Sequence, residues 1–146
     1  MQFPQYTEKL DRYAREGGRL RLDGAFGDGR LSEVMKGMDI VVVPSLWFEN
    51  SLGVIRGAFA HKTPVVASDL AEMVELVEHD VNGLLFCVGD TDDIGRRLSG
   101  VVEKPSLLKR LRDRIPAVKT IEDEMTDLLE IYVEVSAEHS PPLQGA

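Results

Sequence analysis

The stretch DIVVVPS at residues 39–45 decides the fold. Residues 40–43 are all apolar and β-branched, which is typical of a parallel strand covered on both faces. Pro44 ends this strand, residues 53–61 predict a helix, and Val65–Ala67 predict a second buried strand. A strand, a helix and a strand joined by short connections indicate a parallel βαβ unit with a right-handed crossover.

The rest of the chain extends this unit in both directions. We expect an α/β, Rossmann-like three-layer sandwich with a short parallel sheet of four strands. The last helix carries an apolar stripe (Leu128, Leu129, Tyr132 and Val133), which we interpret as a packing face. Further elements are predicted as helices over 6–16, 31–36, 71–78, 91–102, 107–114 and 122–137, as strands over 19–22 and 84–86, and as an Asn-Gly turn over 80–83.

Composition limits the classes of function. The 146 residues suit one domain, with 43% hydrophobic and 29% charged residues. The formal charge of −8 argues against nucleic acid and against an anionic membrane surface as partners. No apolar run approaches the roughly 20 residues that span a bilayer. The single cysteine fits a reducing compartment, so the cytoplasm is the expected location.

Ligands of open α/β sheets bind beyond the carboxyl ends of the strands, where three loops qualify here: 24–29, 44–52 and 68–70. The second loop leads into a helix that begins near Gly53, whose first N–H groups lack partners within the helix and carry partial positive charge. A diphosphate can be held there without a lysine. The alternative is that Asn50 or Ser51 caps the helix and Glu49 favours its positive end.

The remaining candidates give weaker signals. Loop 24–29 follows a predicted strand, but its G-x-x-G-x-G spacing differs from the dinucleotide fingerprint, so a tight glycine turn without ligand is the simpler interpretation. Cys87 is expected to be a small buried hydrophobe, and Trp47 either stacks on a ligand or covers its loop. The three histidines (His61, His79 and His139) lack ligand spacing, and neither a metal nor a cofactor is predicted.

Four sequence blocks follow one another in the middle of the chain. They are GMDIVVVPS at 37–45, ENSLGVIR at 49–56, TPVVASD at 63–69, and NGLLF at 82–86 followed by Gly89-Asp90. In content, order and spacing these blocks resemble the retaining glycosyltransferases of group 1 (family 4), and the similarity covers about residues 22–98.

The resemblance implies a GT-B architecture, in which the C-terminal domain binds a nucleotide-sugar donor without a metal. It assigns Glu49 to the hydroxyls of the donor sugar, as the catalytic-site carboxylate. Ala25 and Phe26 would border the nucleobase, and Ser45 is added to the predicted donor site. The backbone amides that would meet the donor phosphates belong to Asn50, Ser51, Leu52, Gly53 and Val54.

Two departures from the family pattern shape the functional prediction. The family's second glutamate, which grips the ribose, lies eight positions after the first, and Gly57 stands there. Relative to the pattern, the chain also lacks the acceptor-binding N-terminal domain and the first strand and helix of the C-terminal domain. We therefore expect residues 1–139 to form a partial donor-binding domain, and residues 140–146 a disordered tail.

The expected function is transfer of a hexose with retention, with the isolated chain inactive. The alternatives are a non-catalytic interaction module or remnant, and a fragment of a dinucleotide-binding enzyme. The expected partners, besides the nucleotide-sugar donor, are a second copy through an exposed sheet edge or a separate acceptor-binding domain.

Overall fold

The computed structural model describes residues 4–17, 19–25, 27–47 and 52–138, and it divides the chain into two compact units, Met1–Leu31 and Ser32–Ala146. The first unit contains helix α1 (Pro4–Gly17) and a 3₁₀ turn at Asp28–Arg30. The strand predicted at 19–22 is wrong, because these residues are exposed coil. Alternation marks one apolar face of a strand, but a strand also needs a neighbour to pair with.

The second unit carries the predicted alternation of strands and helices, with boundaries close to those expected. The main difference is α4, which is half as long as predicted. The elements are α2 (Leu31–Lys36, which begins at the unit boundary), β1 (Val41–Val43), α3 (Gly53–Ala60), β2 (Val65–Ser68), α4 (Ala71–Val74), β3 (Gly83–Phe86), α5 (Thr91–Glu103), α6 (Pro105–Asp113) and α7 (Ile121–Glu138).

The described strands form one parallel sheet in the order β1-β2-β3. Val41 lies opposite Val65, and Val65 lies opposite Gly83, so the strands start in register. Consecutive parallel strands require a crossover between them, and α3 and α4 occupy those two connections. The prediction of an α/β fold with a short parallel sheet is confirmed, with three strands in place of four.

The core surrounds the central strand. All residues of β2 are buried, and α3 packs against β1 and β2 through the buried Ile55, Ala58 and Phe59. Burial of a side chain as large as those of Ile55 and Phe59 contributes about 1.5–3 kcal/mol. The other large cluster joins the sheet to α5 and α6, and its members are Val66, Leu84, Phe86, Val101 and Leu111.

The turn before β3 differs from the sequence interpretation. The left-handed residue is Asp80, with φ of 61°, and not the Asn-Gly pair. Asn82 acts through its buried side chain, whose Oδ1 accepts from the Glu78 amide at 2.9 Å and whose Nδ2 donates to the Leu76 carbonyl at 3.0 Å. Gly83 already belongs to the strand, where it leaves room for its neighbours.

The two edges of the sheet differ. On the outer side of β3, the Leu85 amide donates to His79 Nδ1 at 2.9 Å, and the Cys87 amide donates to Asp93 Oδ2 at 2.9 Å. On the outer side of β1, no hydrogen bond from a described residue reaches Val42, which is 37% exposed. Side chains therefore close the β3 edge, whereas the β1 edge is open within the described residues, and β1 is less covered than its sequence predicted.

Helix α7 is also exposed. Residues 121–137 are all solvent-exposed, so the interpretation of the apolar stripe as a packing face within this chain is wrong. Amphipathic spacing shows that a helix has an apolar face, but it does not show which molecule covers that face.

Candidate functional site

The loops beyond β1 and β3 meet at the carboxyl edge of the sheet. A β-carbon added to Gly89, which has a φ of 75°, would lie 3.9 Å from Leu46 Cδ2. Beyond the central strand, the Asp69 amide donates to the Phe86 carbonyl at 2.8 Å. This edge is therefore continuous, and it is where ligands of open α/β sheets bind.

Helix α3 begins at this edge without a side-chain cap from its N-cap residue. Leu52 occupies the N-cap position, and its side chain makes no capping bond. The first backbone bond of the helix runs from the Arg56 amide to the Leu52 carbonyl at 2.9 Å. The amides of Gly53, Val54 and Ile55 precede that bond, and no described residue accepts from them. Such amides, together with the helix dipole, form a site for an anion.

Two cationic side chains near α3, those of Lys62 and Arg56, contact residues outside this helix. Lys62 Nζ donates to the Ile115 carbonyl at 2.6 Å. Arg56 lies 3.9 Å from Glu124 of α7, with both side chains more than half exposed. That backbone groups hold an anion at the start of α3 without a lysine stays a prediction.

A cavity of about 250 Å³ borders the carboxyl end of β3. His79 Nδ1 accepts from the Leu85 amide at 2.9 Å, and His79 Nε2 lies 3.6 Å from Asp80 Oδ2 and 3.3 Å from Arg97 Nη1. The residues that line this cavity are Asp69, His79, Leu85, Phe86, Cys87, Asp93 and Arg97. Cys87 is exposed, so the expectation of a buried cysteine is wrong: the strand ends at Phe86, and the thiol extends beyond the core.

Among the residues that line this cavity, Asp93 is a carboxylate with both a backbone hydrogen bond and ion pairs. The hydrogen bond from the Cys87 amide lowers the pKa of Asp93, and Arg97 and Arg96 lower it further, against the opposing effect of burial. Both arginines lie 3.3 Å from its Oδ1. Asp93 therefore ties the start of α5 to the end of β3 in its ionised form.

The central strand ends in a buried hydroxyl. Ser68 is fully buried, and its Oγ has no hydrogen-bond partner among the described residues. An unsatisfied buried hydroxyl costs about 1–3 kcal/mol. Sequence reasoning placed Ser68 in the third candidate loop, 68–70, but it did not select His79 or Asp93; only the spacing of Asp93 from Asp90, which caps α5, offered a signal.

The predicted site residues are divided among different parts of the structure. Ser45, Leu52, Gly53 and Val54 lie in the second unit, at the end of β1 and the start of α3. Ala25 lies in the first unit, exposed after Gly24, whose φ is 72°. Four predicted residues lie outside the described residues: Phe26, Glu49, Asn50 and Ser51.

The structure also bears on Gly57 and on the loop at 24–29. Gly57 lies within α3, and its carbonyl oxygen accepts from His61 Nδ1 at 2.8 Å. The loop at 24–29 does not follow a strand among the described residues, so the strand-loop-helix context of a dinucleotide site is missing there.

The described ranges contain neither a metal-binding cluster nor a membrane-spanning helix. No three His, Cys, Asp or Glu side chains among residues 4–17, 19–25, 27–47 and 52–138 converge as a metal site would require. No helix in these ranges has both the length and the apolar character needed to cross a membrane.

Comparison with known proteins identifies the family. Residues 3–104 match the model of the glycosyl transferases group 1 family. The chain belongs to this family. It is a group 1 glycosyl transferase sequence that is 26% identical to EpsD of Bacillus subtilis (strain 168) over 112 residues, which are 72% of this chain and 29% of EpsD.

This group 1 chain has the fold of part of solved GT-B glycosyltransferases. Anabaena HepE (Alr3699), solved in complex with UDP, superposes with a TM-score of 0.69 at 25% identity, over 87% of this chain and 37% of HepE. Sucrose-phosphate synthase of Thermosynechococcus elongatus gives a TM-score of 0.77 at 23% identity, over 92% of this chain and 34% of that enzyme. The chain thus spans about a third of the length of the relatives it matches.

Proposed function

We propose that this chain is the donor-binding part of a glycosyltransferase that transfers a hexose from a nucleotide-sugar with retention. One observation carries the proposal: α3 begins at the carboxyl edge of a parallel sheet, and its first amides receive no side-chain cap from the described residues. A departing nucleoside diphosphate gains negative charge, and fixed backbone dipoles aimed at that charge stabilise it without reorganising.

Within this proposal, Glu49 is the carboxylate that orients the donor sugar through its hydroxyls. Asn50, Ser51, Leu52, Gly53 and Val54 supply backbone amides to the diphosphate, and Ser45 lies beside them. Ala25 and Phe26 border the nucleobase. Together these groups favour an oxocarbenium-like transition state in which the acceptor attacks on the face that the leaving group departs from.

The comparisons favour a uridine nucleotide as the first ligand to test. HepE, at 25% identity, was solved with UDP and also with UDP and glucose. We propose UDP as the nucleotide portion of the donor for the same reason.

We further propose that the 146 residues alone do not turn over substrate. Gly57 offers no acceptor where the family grips the ribose, and loss of a hydrogen bond to a carboxylate costs about 1.5–3 kcal/mol of binding. The acceptor side would come from a separate acceptor-binding domain. A non-catalytic module is the second candidate function, and Gly57 is the observation that favours it.

The open edge of β1 supports a proposal about partners. We propose that a second copy pairs with this edge when no other strand covers it, since the edge of β3 is closed by side chains. The cytoplasm is the proposed location, because a lone cysteine suits a reducing compartment.

Calorimetry with UDP, GDP, ADP and NAD tests the proposal on the full 146-residue chain. Binding of UDP, or of another nucleoside diphosphate, supports the donor-site assignment. Binding of NAD alone would instead identify a dinucleotide site, and no heat with any of the four ligands would favour the non-catalytic module.

A second measurement separates binding from catalysis. Hydrolysis of UDP-glucose, followed by release of UDP, is expected to stay at the uncatalysed rate in the isolated chain. Turnover by the 146 residues would contradict the proposed inactivity while leaving the donor site in place.

A further inference from the structure

Arg56 lies at the end of the first turn of α3, next to the amides that the proposed donor site uses. It is the fourth residue of the helix, about 4.5 Å along the axis from Gly53 at 1.5 Å per residue. Side chains of a helix tilt toward its amino end and cover the preceding turn. The long arginine side chain can therefore reach an anion that lies at the start of α3.

The side chain of Arg56 is on the solvent side of α3. The buried face of the helix packs against β1 and β2, whereas the Arg56 side chain is 55% exposed. Lys62, the other cation near α3, follows the end of the helix, and its Nζ donates to the Ile115 carbonyl at 2.6 Å. Of these two cations, Arg56 is the one near the amino end of the helix.

The contact that Arg56 makes in this structure is weak. Its Nη1 lies 3.9 Å from Glu124 Oε1 of α7, beyond the roughly 2.7–3.2 Å of a hydrogen bond. Both side chains are more than half exposed, so water screens their attraction. An exposed pair of this kind changes an equilibrium constant by about fivefold at most.

Glu124 does not depend on Arg56 for a favourable position. It lies in the first turn of α7, where the free amides at the amino end of a helix attract carboxylates. Its side chain is 60% exposed, so it stays hydrated when Arg56 moves away. Separating the two side chains therefore costs little, in contrast to an ion pair in the protein interior.

A diphosphate offers Arg56 a stronger partner than Glu124 does. The planar guanidinium can donate two parallel hydrogen bonds to phosphate oxygens, and such charge-assisted bonds are about twice as strong as neutral ones. Hydrogen bonds to charged groups are worth about 10- to 100-fold in affinity, against about fivefold for an exposed ion pair. The exchange of Glu124 for a phosphate group is therefore favourable.

We propose that Arg56 binds the diphosphate of the donor, and that Glu124 holds the guanidinium aside until the donor arrives. The inference rests on the proposed donor site and adds a side-chain cation to its backbone amides. The guanidinium then contacts the oxygens that gain negative charge as the diphosphate departs. Because Glu124 competes for Arg56, it lowers the apparent affinity for the donor.

Calorimetry on the full chain with UDP, pyrophosphate and uridine tests the role of Arg56. Arg56→Gln is expected to lower the affinities for UDP and pyrophosphate by about 10- to 100-fold. The affinity for uridine, which has no phosphate, is expected to stay unchanged. Arg110→Gln is the matched control, because it removes one exposed positive charge from α6 and none from α3. Its affinities are expected to equal those of the wild type.

A double-mutant cycle tests the role of Glu124. Glu124→Gln is expected to raise the affinities for UDP and pyrophosphate by up to about fivefold, because Arg56 loses its competing partner. The double variant Arg56→Gln/Glu124→Gln is expected to bind like Arg56→Gln, since Glu124 acts through Arg56. Thermal unfolding of all these variants is expected to stay close to that of the wild type, because both side chains are exposed.

The possible failures are distinguishable. UDP affinity that is equal in the wild type and in Arg56→Gln would overturn the role of Arg56 and leave the proposed donor site in place. An equal loss of affinity in Arg110→Gln would attribute the effect to net charge and overturn it too. A Glu124→Gln protein that binds no more tightly than the wild type would overturn the competition. A wild type that binds neither UDP nor pyrophosphate would overturn the donor site, and this inference with it.

Discussion

Gly83 and Val65 approach each other so closely that no side chain fits between them. A β-carbon on Gly83 would lie 2.5 Å from the Val65 carbonyl oxygen and 2.7 Å from Val77 Cγ1. The first contact is with backbone of the fully buried central strand, which cannot move without disturbing the sheet. The pairing of β3 with β2 therefore depends on the missing side chain at this position.

The variant Gly83→Ala is expected to lower the free energy of unfolding by about 3 kcal/mol, the upper part of the range for overpacking a core. Urea denaturation measures the change. The matched control is Gly95→Ala within α5, where an added β-carbon meets nothing within 4 Å. The control is expected to raise the free energy by about 0.5–1 kcal/mol, because alanine favours helix. A Gly83→Ala protein as stable as the wild type would contradict the packing described for β3.

A negative charge at the start of α3 is expected to weaken binding of UDP. Val54 lies in the first helical turn and is 51% exposed, so Val54→Asp disturbs no core contact. Two unit charges about 8 Å apart at an effective dielectric near 20 repel by about 2 kcal/mol, which is more than tenfold in affinity. Calorimetry with UDP measures the effect.

The control for this charge is Val54→Asn, which has nearly the same shape as aspartate and no charge. We expect its affinity to stay close to that of the wild type. Val54→Asp is expected to be more stable than Val54→Asn by about 0.3–1 kcal/mol, because a carboxylate in the first turn interacts favourably with the helix dipole. Equal UDP affinity of Val54→Asp and Val54→Asn would argue that the diphosphate is not at the amino end of α3.

Restoring a carboxylate at position 57 is expected to strengthen donor binding. If the ribose lies near α3, Gly57→Glu adds an acceptor for its hydroxyls, which is worth about 1.5–3 kcal/mol, or about 10- to 100-fold in UDP affinity. The backbone there is already helical and holds His61 through the Gly57 carbonyl. Calorimetry against UDP, compared with uracil and pyrophosphate, locates the gain on the ribose.

Gly57→Gln serves as the control, because it adds the same helix propensity without the charge. Both variants are expected to be more stable than the wild type. If Gly57→Glu and Gly57→Gln gain the same UDP affinity, the gain comes from helix stability and not from a ribose contact.

Asp93 is expected to make the fold sensitive to acid. Its pKa is lower in the folded protein than the ordinary value of 3.8, chiefly because the Cys87 amide donates to it. The unfolded chain therefore binds the proton more readily, so the stabilisation is complete above pH 3.8 and is lost as the pH falls through the lower pKa of the folded state. Denaturation followed from about pH 6 to about pH 3 is expected to show a smaller loss of stability in Asp93→Asn.

The neighbouring Asp92 is a control on the same helical turn. Asp92 is exposed, and its backbone amide donates to Asp90 Oδ1 at 2.9 Å. Asp92→Asn is expected to follow the acid response of the wild type. If Asp93→Asn loses as much stability in acid as the wild type does, another carboxylate causes the loss.

The central βαβ unit could be predicted from sequence because its signals are local and strong. The β-branched run at 40–43 and the second run at 65–67 permit few structures other than buried parallel strands. The alternation at 19–22 misled because two apolar residues in four cannot specify a partner strand. Cys87 misled because its burial depends on where β3 ends, one residue before it.

The candidate site was predicted in part, and for a related reason. The start of α3 follows from a glycine after a loop, which is a local signal. The wall formed by His79, Asp93 and Arg97 brings together residues up to 18 positions apart, and its contacts arise only when β3 and α5 pack. The loop at 68–70 was selected from sequence, but the burial of the Ser68 hydroxyl without a described hydrogen-bond partner could not be predicted, because it is visible only after folding.

Because the two edges of the sheet differ, a further strand can pair on one side only, beside β1. His79 and Asp93 occupy the outward amides of Leu85 and Cys87, so an incoming strand finds no donors there. Any added strand, whether from a longer polypeptide or from a designed fusion, has to join beside Val42. The sheet can thus be extended beside β1, whereas β3 remains its last strand.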